Sequence, residues 1–160
     1  MEFKTIVTCN QYFNALIVGD CAKEALQAFY NLERGYKPTM STYVTLISGC
    51  AHCDLYAEGI ALYERLHKDK TIIPSIKFYG VAINLHCKSG MFDCAFTLIE
   101  TMRVKPNMVV WNTILSTSIS AGRHDIVEVV IKNSLEEVNP HKRFEYGYDV
   151  SKILRGDEEL

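Results

Sequence analysis

The spacing of its prolines constrains this chain more than any other feature. The sequence of 160 residues has four prolines, at Pro38, Pro74, Pro106 and Pro140, with successive spacings of 36, 32 and 34. An aromatic residue follows each of the first three at an offset of five: Tyr43, Tyr79 and Trp111. A period of about 34 is typical of stacked helical hairpins, in which each unit buries its apolar face against its neighbours.

Apolar residues recur at helical spacing after each aromatic, as in Tyr43, Leu46, Ile47 and Cys50. We expect Asp54 to cap the second helix of that unit, and Gly90 to close the first helix of the next one in the left-handed conformation. Later second helices are expected over 91–102 and 126–135. Since no useful stretch alternates with period two, the sequence predicts an all-α protein. The expected fold is a right-handed α-solenoid of about four helix-turn-helix repeats plus a partial fifth.

Composition excludes several classes of protein. No apolar run approaches the roughly 20 residues of a membrane span, and the first residues lack the pattern of a signal or transit peptide. Lys and Arg number 17 against 19 Asp and Glu, for a net charge of −2. This balance argues against a protein that grips nucleic acid by bulk charge alone. The six cysteines are interpreted as reduced thiols, since a chain of this size needs no staples.

Two cysteine motifs raise the question of a metal site. Cys50-Ala51-His52-Cys53 and His86-Cys87 could contribute zinc ligands, but free cysteine is also a common small core residue. We favour the core interpretation and expect neither a metal nor a cofactor. A zinc deaminase would need His-x-Glu and Pro-Cys-x-x-Cys. Both patterns are missing, so no enzymatic activity is expected.

The unit pattern resembles the pentatricopeptide repeat (PPR) family. Lys23-Glu24-Ala25-Leu26, running to Lys37-Pro38-Thr39, fits its second helix and unit end, as does the run from Phe96 to Asn107. The units at 40–75 and 76–107 are similar to the last long and last short repeats of the plant-type mixed-length (PLS) subclass. The run from Leu98 to Trp111 is similar to its junction with the C-terminal extension (E) motif.

The resemblance divides the chain into one continuous series of units. With Phe13 taken as the first aromatic anchor, the first unit is short and turns through Gly19-Asp20-Cys21-Ala22. The chain is expected to be a C-terminal piece of a longer protein, or a degenerate copy. The expected divisions are a lead-in at 1–9, a shortened repeat at 10–39, a long repeat at 40–75, a short repeat at 76–107, an E-motif-like hairpin at 108–141, and a partial helix with an acidic tail at 142–160.

The resemblance implies binding of single-stranded RNA in a mitochondrion or plastid, within a C-to-U editing factor that lacks its own deaminase. A deaminase or other editing protein would act in trans, and no membrane is involved. Two side chains per unit would read one base: the residue after the anchor and the last residue of the unit. These positions hold Asn14 with Thr39, Val44 with Ser75, Gly80 with Asn107, and Asn112 with His141.

The implied base-reading pairs differ in chemistry. An Asn amide both donates and accepts hydrogen bonds, whereas Val44 can only pack and Gly80 leaves Asn107 to act alone. The alternative function is a helical-repeat scaffold that binds protein. Lys or Arg beside Asn14, Thr39 and Asn107 would favour RNA, and an apolar stripe there would favour a protein ligand.

Overall fold

The computed structural model describes residues 5–32, 35, 37–69 and 71–137, with the side chains of 135–137 left out. These residues form eight helices and no strand. The helices are α1 (Ile6–Val18), α2 (Ala22–Leu32), α3 (Met40–His52), α4 (Tyr56–Lys68), α5 (Ile76–Lys88), α6 (Phe92–Thr101), α7 (Met108–Ser120) and α8 (His124–Glu137). The expected all-α fold of four hairpins is confirmed. His141 and the expected partial helix at 142–160 lie outside the described residues.

The four hairpins turn in the same way. Each turn has one residue of positive φ: Asp20 (57°), Asp54 (58°), Gly90 (81°) and Gly122 (66°). The next backbone N–H then donates to a carbonyl five residues back, as from Cys21 to Leu16 and from Met91 to His86, both at 2.8 Å. Asp tolerates this left-handed conformation better than most side chains, so the first turn closes without a glycine there.

The expectation that Asp54 caps the following helix is wrong. Its backbone closes α3 in the left-handed conformation, and its carboxylate accepts a hydrogen bond from the Tyr56 hydroxyl at 2.6 Å. Leu55 occupies the N-cap position of α4 and provides no side-chain cap. A residue two positions before a helix can thus end the preceding helix instead of capping the following one.

The first helices of the hairpins, α1, α3, α5 and α7, are called the A helices, and the others the B helices. The four A helices are equal in length, and their starts are spaced by 34, 36 and 32 in the sequence. The fourth residue is buried in all of them: Cys9, Tyr43, Tyr79 and Trp111. Phe13 is the eighth residue of α1 and corresponds to Ile47. The first hairpin therefore begins at Ile6, and Cys9 rather than Phe13 is the counterpart of Tyr43.

The core runs between the two layers of helices. Successive A helices contact each other, and each of α2 and α4 also contacts the A helix of the next unit. Tyr43 packs edge-on against Phe29 of α2, with 6.0 Å between ring centroids, and Tyr63 of α4 stacks on Phe78 of α5 at 5.7 Å. Within the described part of the chain, no helix has the length and apolar character needed to cross a bilayer.

Two glycines within helices provide a matched test of this packing. A Cβ on Gly59 would lie 2.8 Å from Leu85 Cδ1 and 3.0 Å from Cys50 Cβ, whereas a Cβ on Gly80 would meet nothing within 4 Å. We expect Gly59→Ala to lower the free energy of unfolding by about 1–3 kcal/mol through overpacking. Gly80→Ala should raise it by up to about 1 kcal/mol through helix propensity. Urea unfolding followed by circular dichroism measures both. Equal effects would contradict this packing.

His86 is a buried titratable group among aromatic rings. Its side chain is 6 % exposed, it lies edge-on to Tyr63 at 5.4 Å, and its Nδ1 has no hydrogen-bond partner among the described residues. Burial lowers the pKa of His86, because the charged imidazolium loses its hydration. The folded protein therefore holds this imidazole neutral.

Stability should consequently fall as the pH falls. The unfolded chain takes up the proton below about pH 6.5 while the folded chain resists it, so stability declines from there down to the lower folded pKa. We expect His86→Leu to flatten the pH dependence of the urea midpoint below about pH 6.5. His124→Gln, an exposed control, should retain it. An unchanged slope in His86→Leu would show that other groups cause the acid sensitivity.

Candidate nucleic-acid interface

The A helices expose one side of their layer. Positions 2, 5, 9 and 13 of a helix lie on one side, and in the A helices all of them are exposed or partly exposed except Val44. We call this set the A face. It consists of Val7, Asn10, Asn14, Val18, Ser41, Val44, Ser48, His52, Lys77, Gly80, Asn84, Lys88, Val109, Asn112, Ser116 and Ser120.

The charge of the protein is divided between the two layers. The four A helices contain no Asp or Glu. Every B helix carries at least one acidic residue in its first turn: Glu24, Glu58, Asp93 and Asp125. A net charge of −2 for the whole chain therefore conceals a helix layer free of carboxylates. Such a layer can approach a polyanion without the repulsion that the B helices would exert.

The lysines of the A face lie on α5. Lys77 is exposed and forms no ion pair with the described residues, while Lys88 Nζ donates to the Ala51 carbonyl at 3.0 Å. Lys37 and Lys105 are exposed in the loops that lead into α3 and α7. Lysines thus lie in the loops before Thr39 and Asn107, as expected for a nucleic-acid ligand. Val7 and Val109 are exposed on the A face and add apolar surface to it.

The structure assigns the fifth position of the A helices to Asn10, Val44, Gly80 and Asn112. Asn14 lies one turn further along α1, still on the A face, so it is not the counterpart of the other three. Asn10 is partly buried, and its Oδ1 is fully buried without a hydrogen-bond partner among the described residues. Val44 is only 7 % exposed, Gly80 leaves open space, and Asn112 is exposed.

The sequence prediction placed Asn14 rather than Asn10 at the fifth position because it aligned the first unit on an aromatic residue. The N-cap would have given the correct alignment. Thr5 caps α1 by accepting a hydrogen bond from Thr8 N, and it lies one repeat before the N-cap residue Thr39. A polar cap is fixed by helix geometry, whereas a buried position accepts any apolar residue that fits, here Cys9.

The last residues of the units, Thr39, Ser75 and Asn107, are the N-cap residues of the next A helices. Ser75 Oγ accepts from Phe78 N at 3.3 Å, and Asn107 Oδ1 accepts from Val110 N at 3.1 Å. The backbone N of Thr39 donates to Thr42 Oγ1 at 3.1 Å. All three N-cap residues are exposed, at the same end of the A helices as the fifth positions.

The cysteines form no metal centre in the described part of the chain, where no three His, Cys, Asp or Glu side chains are grouped to hold an ion. All six are free thiols. Burial raises the pKa of both Cys50 and Cys87 to about 12, so these thiols stay protonated. They serve as small core side chains, as the sequence indicated.

These features define a helical-repeat solenoid with a largely polar face whose helices carry no carboxylate, although Asp20 of the first turn lies 3.6 Å from His52 of that face. The sequence profile of the PPR repeat matches residues 41–70 and 78–106. These two stretches, which cover the second and third hairpins, are pentatricopeptide repeats.

Two relatives of this chain are much longer proteins of Arabidopsis thaliana. The chloroplastic pentatricopeptide repeat-containing protein At1g05750 is 27% identical over 147 residues, which cover 91% of this chain and 29% of that protein. Pentatricopeptide repeat-containing protein At3g47530 is 30% identical over 138 residues, 85% of this chain and 23% of that protein. The chain thus spans less than a third of either relative.

Solved structures share the fold. The maize pentatricopeptide repeat protein PPR10 superimposes with a TM-score of 0.64 at 20% identity, over 83% of this chain and 19% of PPR10. PPR10 in complex with an 18-nucleotide psaJ RNA element gives a TM-score of 0.73 at 16% identity, over 99% of this chain and 26% of PPR10. The likeness supports the solenoid architecture.

The caps give a test that separates structural from binding roles. Ser75→Ala should lower the free energy of unfolding by about 1 kcal/mol, because Phe78 N loses its acceptor. Asn14→Ala should change it by less than about 0.5 kcal/mol, because its side chain is exposed and carries no cap. Both values come from urea unfolding. A neutral Ser75→Ala would show that the cap bond contributes little.

Proposed function

We propose that this chain binds single-stranded RNA along the A face and has no catalytic activity of its own. The observation that carries the proposal is the absence of Asp and Glu from all four A helices, in a chain that has 19 of them. Single-stranded RNA suits this face because its unpaired bases expose the edges that polar side chains can read. The RNA complex of PPR10, a protein with the same architecture, is consistent with this ligand.

Bases are read by the fifth positions together with the N-cap residues at the unit ends. The pairs are Asn10 with Thr39, Val44 with Ser75, and Gly80 with Asn107, with Asn112 as a further contact. Asn10 replaces the Asn14 of the sequence prediction because it lies at the equivalent helical position. The equal lengths of the A helices support this spacing, with one base for each unit.

The cap bond fixes what Asn107 offers to a base. Its Oδ1 accepts from Val110 N, so the amide presents Nδ2, a hydrogen-bond donor. The open space at Gly80 leaves this donor as the main polar contact of the third unit. A donor pairs with the central Watson–Crick ring nitrogen of cytosine or adenine, which is an acceptor. In uracil and guanine the same nitrogen carries hydrogen.

Asn107→Asp tests this reading without removing the cap, because Asp is as good an N-cap residue as Asn. The carboxylate presents an acceptor in place of a donor. We expect the ratio of affinities for cytidine over uridine at that position to invert, by roughly fivefold to tenfold, or about 1–1.4 kcal/mol. Fluorescence anisotropy with two labelled RNAs that differ at one base measures this ratio. A ratio unaffected by Asn107→Asp would remove Asn107 from base reading.

The bulk affinity tests RNA binding itself. With few cations on the A face, we expect a Kd no tighter than roughly micromolar for short single strands, little binding to duplex, and a shallow salt dependence. Lys77→Gln should weaken all sequences about equally. Lys23→Gln, the matched control on a B helix, should not. Equal loss in both variants would mean that RNA does not occupy the A face.

More specifically, we propose that the chain belongs to an organellar editing factor of the PLS subclass. The fourth hairpin would be its E-type extension, and a deaminase would be supplied in trans. The A helices that start at Met40, Ile76 and Met108 bound one long unit followed by a shorter one, which supports the mixed-length pattern. Relatives named as chloroplastic and mitochondrial support the organelle. Cytidine deamination by the purified chain alone would overturn the non-catalytic part of this proposal.

A further inference from the structure

A cavity of about 540 Å³ lies where the end of α6 and the loop 102–107 meet α7 and α8. Ile99 and Trp111 belong to its apolar part, and Asn133 of α8 borders it. Three charged side chains surround it, all exposed: Arg103, Lys105 and Glu100. None of these residues belongs to the A face, although Lys105 lies in the loop that leads to Asn107, so the cavity adjoins the proposed RNA site.

The corresponding places in the earlier units are filled by larger side chains. Nine residues after the left-handed turn residue, α2 has Phe29 and α4 has Tyr63, and both rings pack on the next A helix. Ile99 occupies this position in α6. An aliphatic side chain therefore lies where the first two units place a ring.

The side chain that would cover the cavity is also shorter than its counterpart in an earlier unit. Eleven residues after its turn residue, α4 has Arg65, whose guanidinium lies over the Phe29 ring of the preceding unit at 5.7 Å. The equivalent residue of α8 is Asn133, which borders the cavity beside Ile99. Beside Trp111, the cavity thus lacks both a ring from its own B helix and the long side chain that would cover such a ring.

We propose that this cavity binds an aromatic side chain from an acidic peptide segment of a partner protein. The aromatic ring replaces the one that the first two units supply from their own B helices. Acidic neighbours in the peptide pair with Arg103 and Lys105, which outnumber the single carboxylate of Glu100. Aromatic anchors in apolar pockets with a charged rim are a common mode of peptide recognition. The apolar part of this surface lies away from the A face, and the two sites adjoin at Lys105, in the loop before Asn107.

The sole tryptophan of the chain provides the measurement, because Trp111 lines the cavity. The probe is a blocked Gly-Glu-Phe-Glu-Gly peptide titrated into the whole protein while Trp fluorescence is recorded. Two control peptides carry Ala in place of Phe, or Lys in place of both Glu residues. We expect a saturable change with the probe and at least about tenfold weaker binding of both controls, a difference of about 1.4 kcal/mol.

Two variants restore the side chains of the earlier units. Ile99→Phe places a ring in the apolar part of the cavity and Asn133→Arg covers that part, so both should weaken the probe at least about fivefold. Because Asn133→Arg adds positive charge, a purely electrostatic contact would become stronger instead and would overturn the proposal. Ala57→Arg on α4 adds the same charge away from the cavity and should leave the affinity unchanged. Circular dichroism confirms that each variant is folded.

The remaining outcomes are equally decisive. Equal binding of the three peptides would overturn the proposal, as would no fluorescence change at millimolar probe. Displacement of the probe by uridine monophosphate at the same concentration would identify a nucleotide site instead. Stronger probe binding by Glu100→Gln, which removes the opposing carboxylate, would support an acidic ligand.

Discussion

The left-handed residue in each hairpin turn is the constraint on which the rest of the structure depends. Asp20, Asp54, Gly90 and Gly122 reverse the chain with the same backbone geometry, so each B helix returns along its A helix in the same way. Similar hairpins can stack because their contact faces are then equivalent. The fourth position of every A helix becomes buried as a result, whether it holds a cysteine or a tryptophan. The first three prolines mark the loops between hairpins, and their regular spacing follows the same period as these turns.

The stacking also decides where charge can go. A helices contact one another and the B helices, so their single exposed side becomes one continuous strip across the units. The B helices form the other layer and carry the carboxylates. A protein of net charge −2 can therefore offer a polyanion a layer of helices without acidic side chains. Binding on such a strip depends on hydrogen bonds to bases more than on phosphate contacts, which is consistent with Lys77 and Lys88 as its only lysines.

One group of residues combines an observed N-cap role with the proposed base contact, and mutations there need matched controls. Thr39, Ser75 and Asn107 are placed at the N-termini of A helices, and their exposed atoms can also meet a base. An alanine at these positions removes both roles at once. The Asp variant of Asn107 separates them, because it keeps the acceptor that the helix requires and changes only the atom directed outward. The same logic applies to the cavity beside Trp111, where the earlier units show which side chains would close it.

The sequence by itself determined the helical class, the number of hairpins, the buried aromatics and the turn at Gly90, because apolar periodicity and backbone preference are local properties. It did not determine the alignment of the first unit, since Phe13 and Cys9 are both apolar and only packing distinguishes the eighth position of α1 from the fourth. It also misassigned Asp54, whose carboxylate suits a cap while its backbone suits a left-handed turn. Only the tertiary structure showed that the carboxylates avoid one layer, that Asn10 belongs to the exposed strip, and that Ile99 and Asn133 leave a cavity. Those features arise between helices that lie far apart in the chain. There the stacking geometry, rather than the local sequence pattern, determines which side chains contact one another.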